Sequence, residues 1–303
     1  MYLEYGQLAA LVAVVREGSF DAAAGALHVT PSAISQRIKQ LEEQLGGIVV
    51  VRGAPCQPTS LGNALYRHGL QVELLEKDLL HSFGSTERDR AKPSPPIGVA
   101  VNADSLATLL VPSLARCLAE TDLNVEIMLD DEDHTAQWLR SGRVLGAVTA
   151  DARPVQGCRV QPLGVMRYRA TASPAFIRRW FPDGFTAKAV REAPVIAFNR
   201  KDQLQIRFAR QVLGIRGAEL RAHYLPSPAA FVDATLAGIG WGMNPDPLVL
   251  AHLTTKKLRD LVPNRWMDVP LYWQQWTLAS RTLDALASAL RAQAAASLSR
   301  MET

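Results

Sequence analysis

Cysteine is scarce in this 303-residue chain, and the three that occur, Cys56, Cys117 and Cys158, are widely separated and odd in number. There is no Cys-x-x-Cys pair and no neighbouring Cys/His pair, so neither a disulfide framework nor a structural zinc site is expected. The six histidines, His28, His68, His81, His134, His223 and His252, stand at neither metal nor triad spacing, and no nucleophile has a visible base beside it. Glycines at Gly238-Ile239-Gly240-Trp241-Gly242 follow a helical segment rather than a strand, which is the wrong setting for a nucleotide fingerprint. Enzymatic chemistry, a metal and a cofactor are therefore not expected. Long hydrophobic runs are missing too. Leu8 to Val15 ends at Arg16, too short to span a bilayer, and Met1 to Gly6 carries Glu4 without a basic cluster, so no export signal is read and a cytoplasmic protein is expected.

Positive charge is thin where nucleic-acid binding would first be sought. The chain as a whole carries +4. From Met1 to Ser60, however, Arg16, Arg37, Lys39 and Arg52 face Glu4, Glu17, Asp21, Glu42 and Glu43, and the basic excess lies between Arg153 and Arg221. Any case for DNA must rest on local pattern.

That pattern is present. Leu8, Leu11, Val12 and Val15 recur at helical spacing until Gly18 ends the turn. Ser19 caps a short helix through Phe20, Ala23, Ala24 and Leu27. Thr30 and Pro31 then open a third helix to Leu45, since a proline at the first helical position loses no hydrogen bond and its φ already suits a helix. Ile34, Ile38, Leu41 and Leu45 form its apolar stripe, with Ser32, Ser35, Gln36 and Lys39 on the opposite side. Serine, glutamine and lysine can donate to base edges and phosphates, whereas Glu42 and Glu43 would repel a DNA backbone, so only the N-terminal half is expected in a major groove. Ile48 to Arg52 reads as a strand, returned as a small wing by a turn at Ala54 to Pro58. A long helix, Leu61 to Phe83, carries Leu61, Leu65, Leu70, Val72, Leu75, Leu79 and Phe83 as an apolar stripe, either for a second subunit or for its own chain.

The chain here resembles the LysR-type transcriptional regulators. The residues that match are Gly18-Ser19-Phe20-Asp21-Ala22-Ala23-Ala24, Leu27, Val29-Thr30-Pro31-Ser32-Ala33-Ile34-Ser35, Ile38, Leu41-Glu42 and Leu45-Gly46. Where that family usually shows Leu-Phe-x-Arg before a Leu-Thr pair, this chain has Val49-Val50-Val51-Arg52 and later Pro58-Thr59. Thr30, Arg37 and Arg52 are expected on phosphates, and Ser32, Ser35, Gln36 and Lys39 on the duplex face. The resemblance implies promoter DNA as partner, a homodimer that further assembles to a tetramer, and RNA polymerase as a further contact.

After a polar, Pro-rich stretch from Arg88 to Pro96, strand and helix patterns alternate: Ile97 to Val101, a helix through Leu106 and Leu114, Val125 to Leu129, a helix through Trp138, and Leu145 to Thr149. Further strands are expected at Val160 to Leu163, Tyr168 to Ala172, Val195 to Phe198, Ala222 to Leu225 and Pro270 to Leu278, with helices near Lys188, Leu204 to Leu213, Ala229 to Ala237 and Thr282 to Leu298. The fold class is therefore α/β: a winged helix-turn-helix over 1–60, a linker helix and hinge over 61–96, and a two-lobed effector domain of periplasmic-binding-protein type over 97–303. Lobe I takes about 97–150 and 268–303 and lobe II about 151–267, around a mostly parallel sheet. Its ligand should lie beyond the carboxyl ends of the strands.

Between Asp104 and Asp133 eight acids face Arg116 alone, which favours a cation, although Asp130 to Asp133 also suit a solvated, helix-capping loop. Ser105, near a helix start, could take a carboxylate. Together these describe an amino acid, most naturally a basic one. Phe198, Phe231 and Trp241 could line its stem or be plain core. Asn102-Ala103-Asp104-Ser105-Leu106-Ala107-Thr108, Asp131-Glu132, Gly146-Ala147-Val148, Ala193 to Phe198, Ala230-Phe231-Val232 and Leu271-Tyr272-Trp273 resemble the LysR-type subfamily that senses lysine and arginine and controls a basic-amino-acid exporter. That resemblance implies effector contacts from Asn102, Asp104, Ser105 and Thr108, from Asp131, Asp133 and Thr149, and from the three aromatics. A different small-molecule effector is the alternative; a transport-type solute-binding protein or an enzyme fits less well.

Overall fold

The computed structural model describes residues 2–83, 96–119, 121, 123–129, 134–215 and 220–301; Asp131, Asp133 and most of the Arg88 to Pro96 stretch lie outside them. Three helices, α1 (Tyr5–Glu17), α2 (Phe20–Ala26) and α3 (Pro31–Leu45), pack around Leu8, Leu11, Val14, Ala23, Ala24, Ile34, Ile38 and Leu41. Gly18 ends α1 in the left-handed region (φ 73°), where a side chain would be strained, and its N–H donates to the Val14 carbonyl. The wing pairs β1 (Val50–Val51) with β2 (Gln57–Pro58). It is shorter than the expected Ile48 to Arg52 strand because Val49 and Val50 turn inward while Ile48 is 65% exposed. The Thr59 hydroxyl accepts from Gly62 N and so caps α4 (Ser60–Ser82).

The linker helix meets both sides of the molecule. Gly69 lies against Val12 and Leu8, where an added Cβ would come within 2.3 Å of Val12 Cγ2, so glycine lets α4 close onto α1. On its other side Leu74 enters the core of lobe I and the Thr282 hydroxyl donates to Asp78 at 2.6 Å. The apolar stripe of α4 therefore divides. Leu65, Leu70, Val72 and Leu74 are spent on this chain, while Leu75, Leu79, Leu80 and Phe83 remain exposed.

Lobe I is built on β3 (Ile97–Val101), whose five residues are all buried, with β4 (Val125–Leu129) and β5 (Gly146–Thr149) parallel to it on either side. Helix α5 follows β3 as Ala103–Ser105, a π-helical turn Leu106–Leu110, and Val111–Leu118. Pro112 supplies the cause of that wide turn. It has no N–H for the Thr108 carbonyl, so Val111 N reaches back five residues to Leu106 and Gln293 Nε2 caps Thr108 O instead. Helix α6 (Thr135–Ser141) joins β4 to β5. Then β6 (Cys158–Ala172) crosses between the lobes.

Lobe II comprises α7 (Pro174–Trp180), α8 (Ala187–Glu192), β7 (Val195–Ala197), α9 (Leu204–Leu213), β8 (Ala222–Tyr224), α10 (Pro228–Leu236), β9 (Gly242–Pro245), α11 (Asp246–Thr254) and β10 (Arg259–Asp260). The chain returns through β11 (Met267–Trp276), antiparallel to both β5 and β6, and closes with α12 (Arg281–Ser297) on α5.

Two expectations need correction. The strands expected at Val160 to Leu163 and Tyr168 to Ala172 are one, because β11 pairs along the whole of β6 and absorbs the irregularity in a register shift at Leu271/Tyr272. The large sheet, ordered β10-β6-β11-β5-β3-β4 with β9 on β6, is mixed rather than mostly parallel. Alternation of strand and helix reveals crossovers but not the direction of strands returning from the second lobe. No helix among the described residues is long and apolar enough to cross a membrane.

Candidate functional sites: an outward helix face and an interlobe cleft

Helix α3 turns its polar side outward as its periodicity dictates. Ile34, Ile38 and Leu41 are buried, whereas Ser32, Gln36 and Lys39 are exposed. Thr30 Oγ1 accepts from Ala33 N at 3.2 Å, and its hydroxyl meets that of Ser32 at 2.9 Å. One groove between α3 and the wing brings together Ser35, Gln36, Lys39 and Arg52. Arg52 lies 4.7 Å above the Phe20 ring, which fixes its guanidinium beside the groove. Thr30 and Ser32 stand at the helix start outside this groove, and Arg37 turns aside toward Gly6.

Two charges have uses the sequence did not reveal. Glu42 Oε1 accepts from Val49 N at 2.9 Å and thus holds the wing in place rather than only facing solvent. Arg16 pairs with Glu73 of α4 at 2.5 Å and is committed to the linker helix. The surface pair of Lys39 and Glu43, at 3.6 Å, is exposed enough to open at little cost.

The second site lies where the carboxyl ends of β3 and β7 face one another. Asn102 caps α5 by accepting from Ser105 N at 2.7 Å. Asp104, at the second helical position, receives the Tyr168 hydroxyl at 2.8 Å. Burial around the Asp104 carboxyl pushes its pKa up to about 6; Tyr168 opposes that rise and the charge of Asp202, from the other lobe, adds to it. Asp202 accepts from Phe198 N, Leu204 N and Gln205 Nε2, so its position is fixed and it supplies mainly charge to the cleft. Among the described residues Asp104 has no cationic partner. Ser105 Oγ, also buried, has no hydrogen-bond partner among the described residues.

The remaining candidates divide. Thr149, at the end of β5, is 7% exposed and its hydroxyl accepts from Asp151 N. Phe198 is partly exposed just beyond β7. Thr108 spends its hydroxyl on the Asp104 carbonyl at 2.7 Å, which braces the helix under Asp104. Phe231 packs on Ile196 and Gly242. Trp241 has no exposed surface and stands edge-on to Phe185 at 5.5 Å, so it belongs to the lobe II core rather than to a ligand wall. Asp131 and Asp133 lie outside the described residues.

Residues 5–63 match the model of the bacterial regulatory helix-turn-helix proteins of the lysR family, and residues 91–298 match the LysR substrate binding domain. The chain belongs to the LysR family. As a LysR-family regulator it is 44% identical to the HTH-type transcriptional regulator LysG of Mycobacterium tuberculosis over 295 residues, 96% of this chain and 94% of that one. It is 41% identical to ArgP of Pseudomonas aeruginosa over 304 residues, 98% of each. The crystal structure of ArgP from Mycobacterium tuberculosis superposes with a TM-score of 0.86 at 43% identity, covering 99% of this chain and 100% of that one. Full-length LysG from Corynebacterium glutamicum with bound effector Arg superposes at 0.78 and 34% identity, covering 98% and 100%. The DNA-binding regulator read from the N-terminal pattern is thereby established.

Sequence reading missed Tyr168 and Asp202. Tyr168 lies on a strand whose inter-lobe path only pairing reveals. Asp202 was within reach, because a polar loop directly after a buried strand marks the carboxyl end where ligands collect.

Proposed function

We propose that this LysR-family regulator senses a basic amino acid, lysine or arginine, in the cleft between its lobes, and that the gene it controls encodes an exporter of such amino acids. The observation that carries this reading is the shielded Asp104 carboxyl, without a cationic partner among the described residues and facing the fixed charge of Asp202. A lysine ammonium or arginine guanidinium there would relieve both burial and like-charge repulsion, and a charge-assisted bond to a shielded carboxylate is among the stronger polar contacts. Ser105 and Thr149 offer hydroxyls to the ligand's carboxylate, and Phe198 offers a flat apolar wall to its stem. Arginine bound in LysG of Corynebacterium glutamicum supports the assignment.

In this reading Thr30, Arg37 and Arg52 set the register on phosphates while Ser32, Ser35, Gln36 and Lys39 face the groove. Closure of the lobes then changes the stance of α4, which Leu74 and Asp78 tie to lobe I. The exposed row Leu75, Leu79 and Phe83 recurs every four residues, which suits the same helix of a second copy. Dimers of such dimers give the tetramer.

Calorimetry with the full chain tests the effector. Arginine or lysine should bind, and the uncharged analogues citrulline and norleucine should not. If no basic amino acid binds, the effector assignment is lost while operator binding is untouched.

A further inference from the structure

The DNA-reading head carries too little positive charge to explain tight binding to a polyanion by itself. Its Arg16 is held by Glu73, and Arg37, Lys39 and Arg52 remain against Glu4, Glu17, Asp21, Glu42 and Glu43. Backbone phosphate contacts supply most non-specific affinity, so a duplex needs cations from elsewhere.

They are on lobe II. Lys188 and Arg191 stand three residues apart on α8, and Arg207 and Arg210 three apart on α9, the helix packed beside it. All four are exposed, as is Arg221 just before β8. Topology gathers them at one end. Helix α9 leaves the carboxyl end of β7 and runs back to the start of β8, which brings Arg210 toward Arg221. Val195 N donates to the Arg221 carbonyl at 2.9 Å, placing Arg221 beside the end of α8 that carries Arg191. Among the described residues none of these five cations forms an ion pair, and Glu192 is the single described acid on the two helices. Four other arginines of the basic stretch are spent on carboxylates, Arg153 on Asp151, Arg159 on Asp284, Arg167 on Asp268, and Arg169 on Asp246 and Asp260, while Arg179 and Arg200 lie over the rings of Trp180 and Tyr224.

We infer that the pole of lobe II formed by Arg191, Arg207, Arg210, Arg221 and Lys188 is a second, sequence-independent contact for the phosphate backbone of duplex DNA. Arginine forks suit phosphate, and exposed guanidinium groups with no carboxylate to leave lose little on binding. Because the β7 and β8 starts point away from the cleft, this pole can be occupied while the effector enters. The chain's own head is joined to lobe I through α4, which meets Gly142 and Thr282, and not to lobe II, so the pole is set apart from the few base pairs that head reads. It must meet DNA farther along, on a duplex that bends or extends past the half-site.

The test uses the full chain, with Arg191, Arg207, Arg210 and Arg221 all changed to Gln, on duplexes of arbitrary sequence. One duplex is only as long as a single pair of half-sites would be, and the other is several helical turns longer. Affinity is measured across a salt series. On the long duplex the variant should show a salt dependence shallower by about 0.9 for each phosphate it no longer neutralises, while on the short one it should match the parent. Unchanged thermal stability and unchanged arginine-induced stabilisation establish that the variant is folded. An unaltered salt slope on the long duplex overturns the inference. So does a loss of self-association, seen by sedimentation without DNA, with the slope intact: the pole would then belong to a second copy.

Discussion

Helices α3 and α5 begin alike and, in the function proposed above, meet opposite charges. Each is capped by a side-chain oxygen, Thr30 in one and Asn102 in the other, that accepts from the N–H three residues on. Each therefore turns the positive end of a helix dipole toward its site. The second helical position separates them. In α3 it is Ser32, exposed beside Thr30, and no acidic residue occupies the first turn. In α5 it is Asp104, whose carboxyl is buried and faces Asp202. A capped helix start thus does not decide the sign of its ligand. One side chain placed on that turn can keep the anion preference or invert it.

Removing the inverting group should have the largest effect. Asp104→Asn keeps an acceptor for Tyr168 but deletes the charge, so arginine binding by calorimetry should weaken by about 2 to 5 kcal/mol, the cost of removing one partner of a desolvated pair. Thermal stability should stay level or rise, since a buried carboxylate is costly to ionise. Undiminished arginine affinity would place the cationic end of the effector elsewhere. The converse change, Ser32→Asp, writes the cleft's device into α3. It should stabilise the head by about 0.3 to 1 kcal/mol through the dipole and still weaken duplex binding by about 1 to 3 kcal/mol. Duplex affinity unaffected by that carboxylate would show that the start of α3 does not approach DNA.

The two sites were not equally legible. The head could be read almost whole, because its fold is local: Ser19, Thr30, Pro31 and Gly46 mark boundaries within a few residues of the apolar stripes they limit. The bounds of α3 follow directly from Thr30-Pro31 and Leu45-Gly46. In the cleft, Asp104 could be singled out from the acid-rich stretch it begins and Ser105 from its place near a helix start. Tyr168 and Asp202 join them only through β6 and the second lobe, from 64 residues away in the case of Tyr168. Trp241 failed as a cleft residue for a related reason. An aromatic near a strand reads the same whether it faces a ligand or, as here, Phe185.

Acid should separate the sites as well. Asp104 titrates near pH 6 in the fold, above the ordinary carboxyl range, because burial favours its neutral form. The stability this contributes is present at low pH and is lost as pH rises through 6, where the carboxyl ionises with the Tyr168 hydroxyl only partly offsetting its burial. A cationic effector needs the ionised form, so its affinity should fall about tenfold for each pH unit below that point, about 1.4 kcal/mol per unit. Affinity flat between neutral pH and pH 5, measured in the full chain, would contradict a role for this carboxyl. Asp104→Asn should abolish the pH dependence along with most of the binding.

Smallest in energy is the test of what the helices share. If Thr30 and Asn102 are equivalent caps, Thr30→Ala and Asn102→Ala should each cost about 1 kcal/mol of stability, read as similar drops in denaturant midpoint. Their functional costs should then part. Losing Thr30 loosens the start of α3 and the hydroxyl beside Ser32, which weakens duplex binding and leaves arginine binding alone. Losing Asn102 frees Ser105 N and lets the turn carrying Asp104 shift, which weakens arginine binding and leaves the head's grip on a short duplex alone. A variant impaired in both functions together would mean that the two capped turns are coupled through α4 in the unliganded molecule, so that the helix start in the cleft already governs the one on DNA.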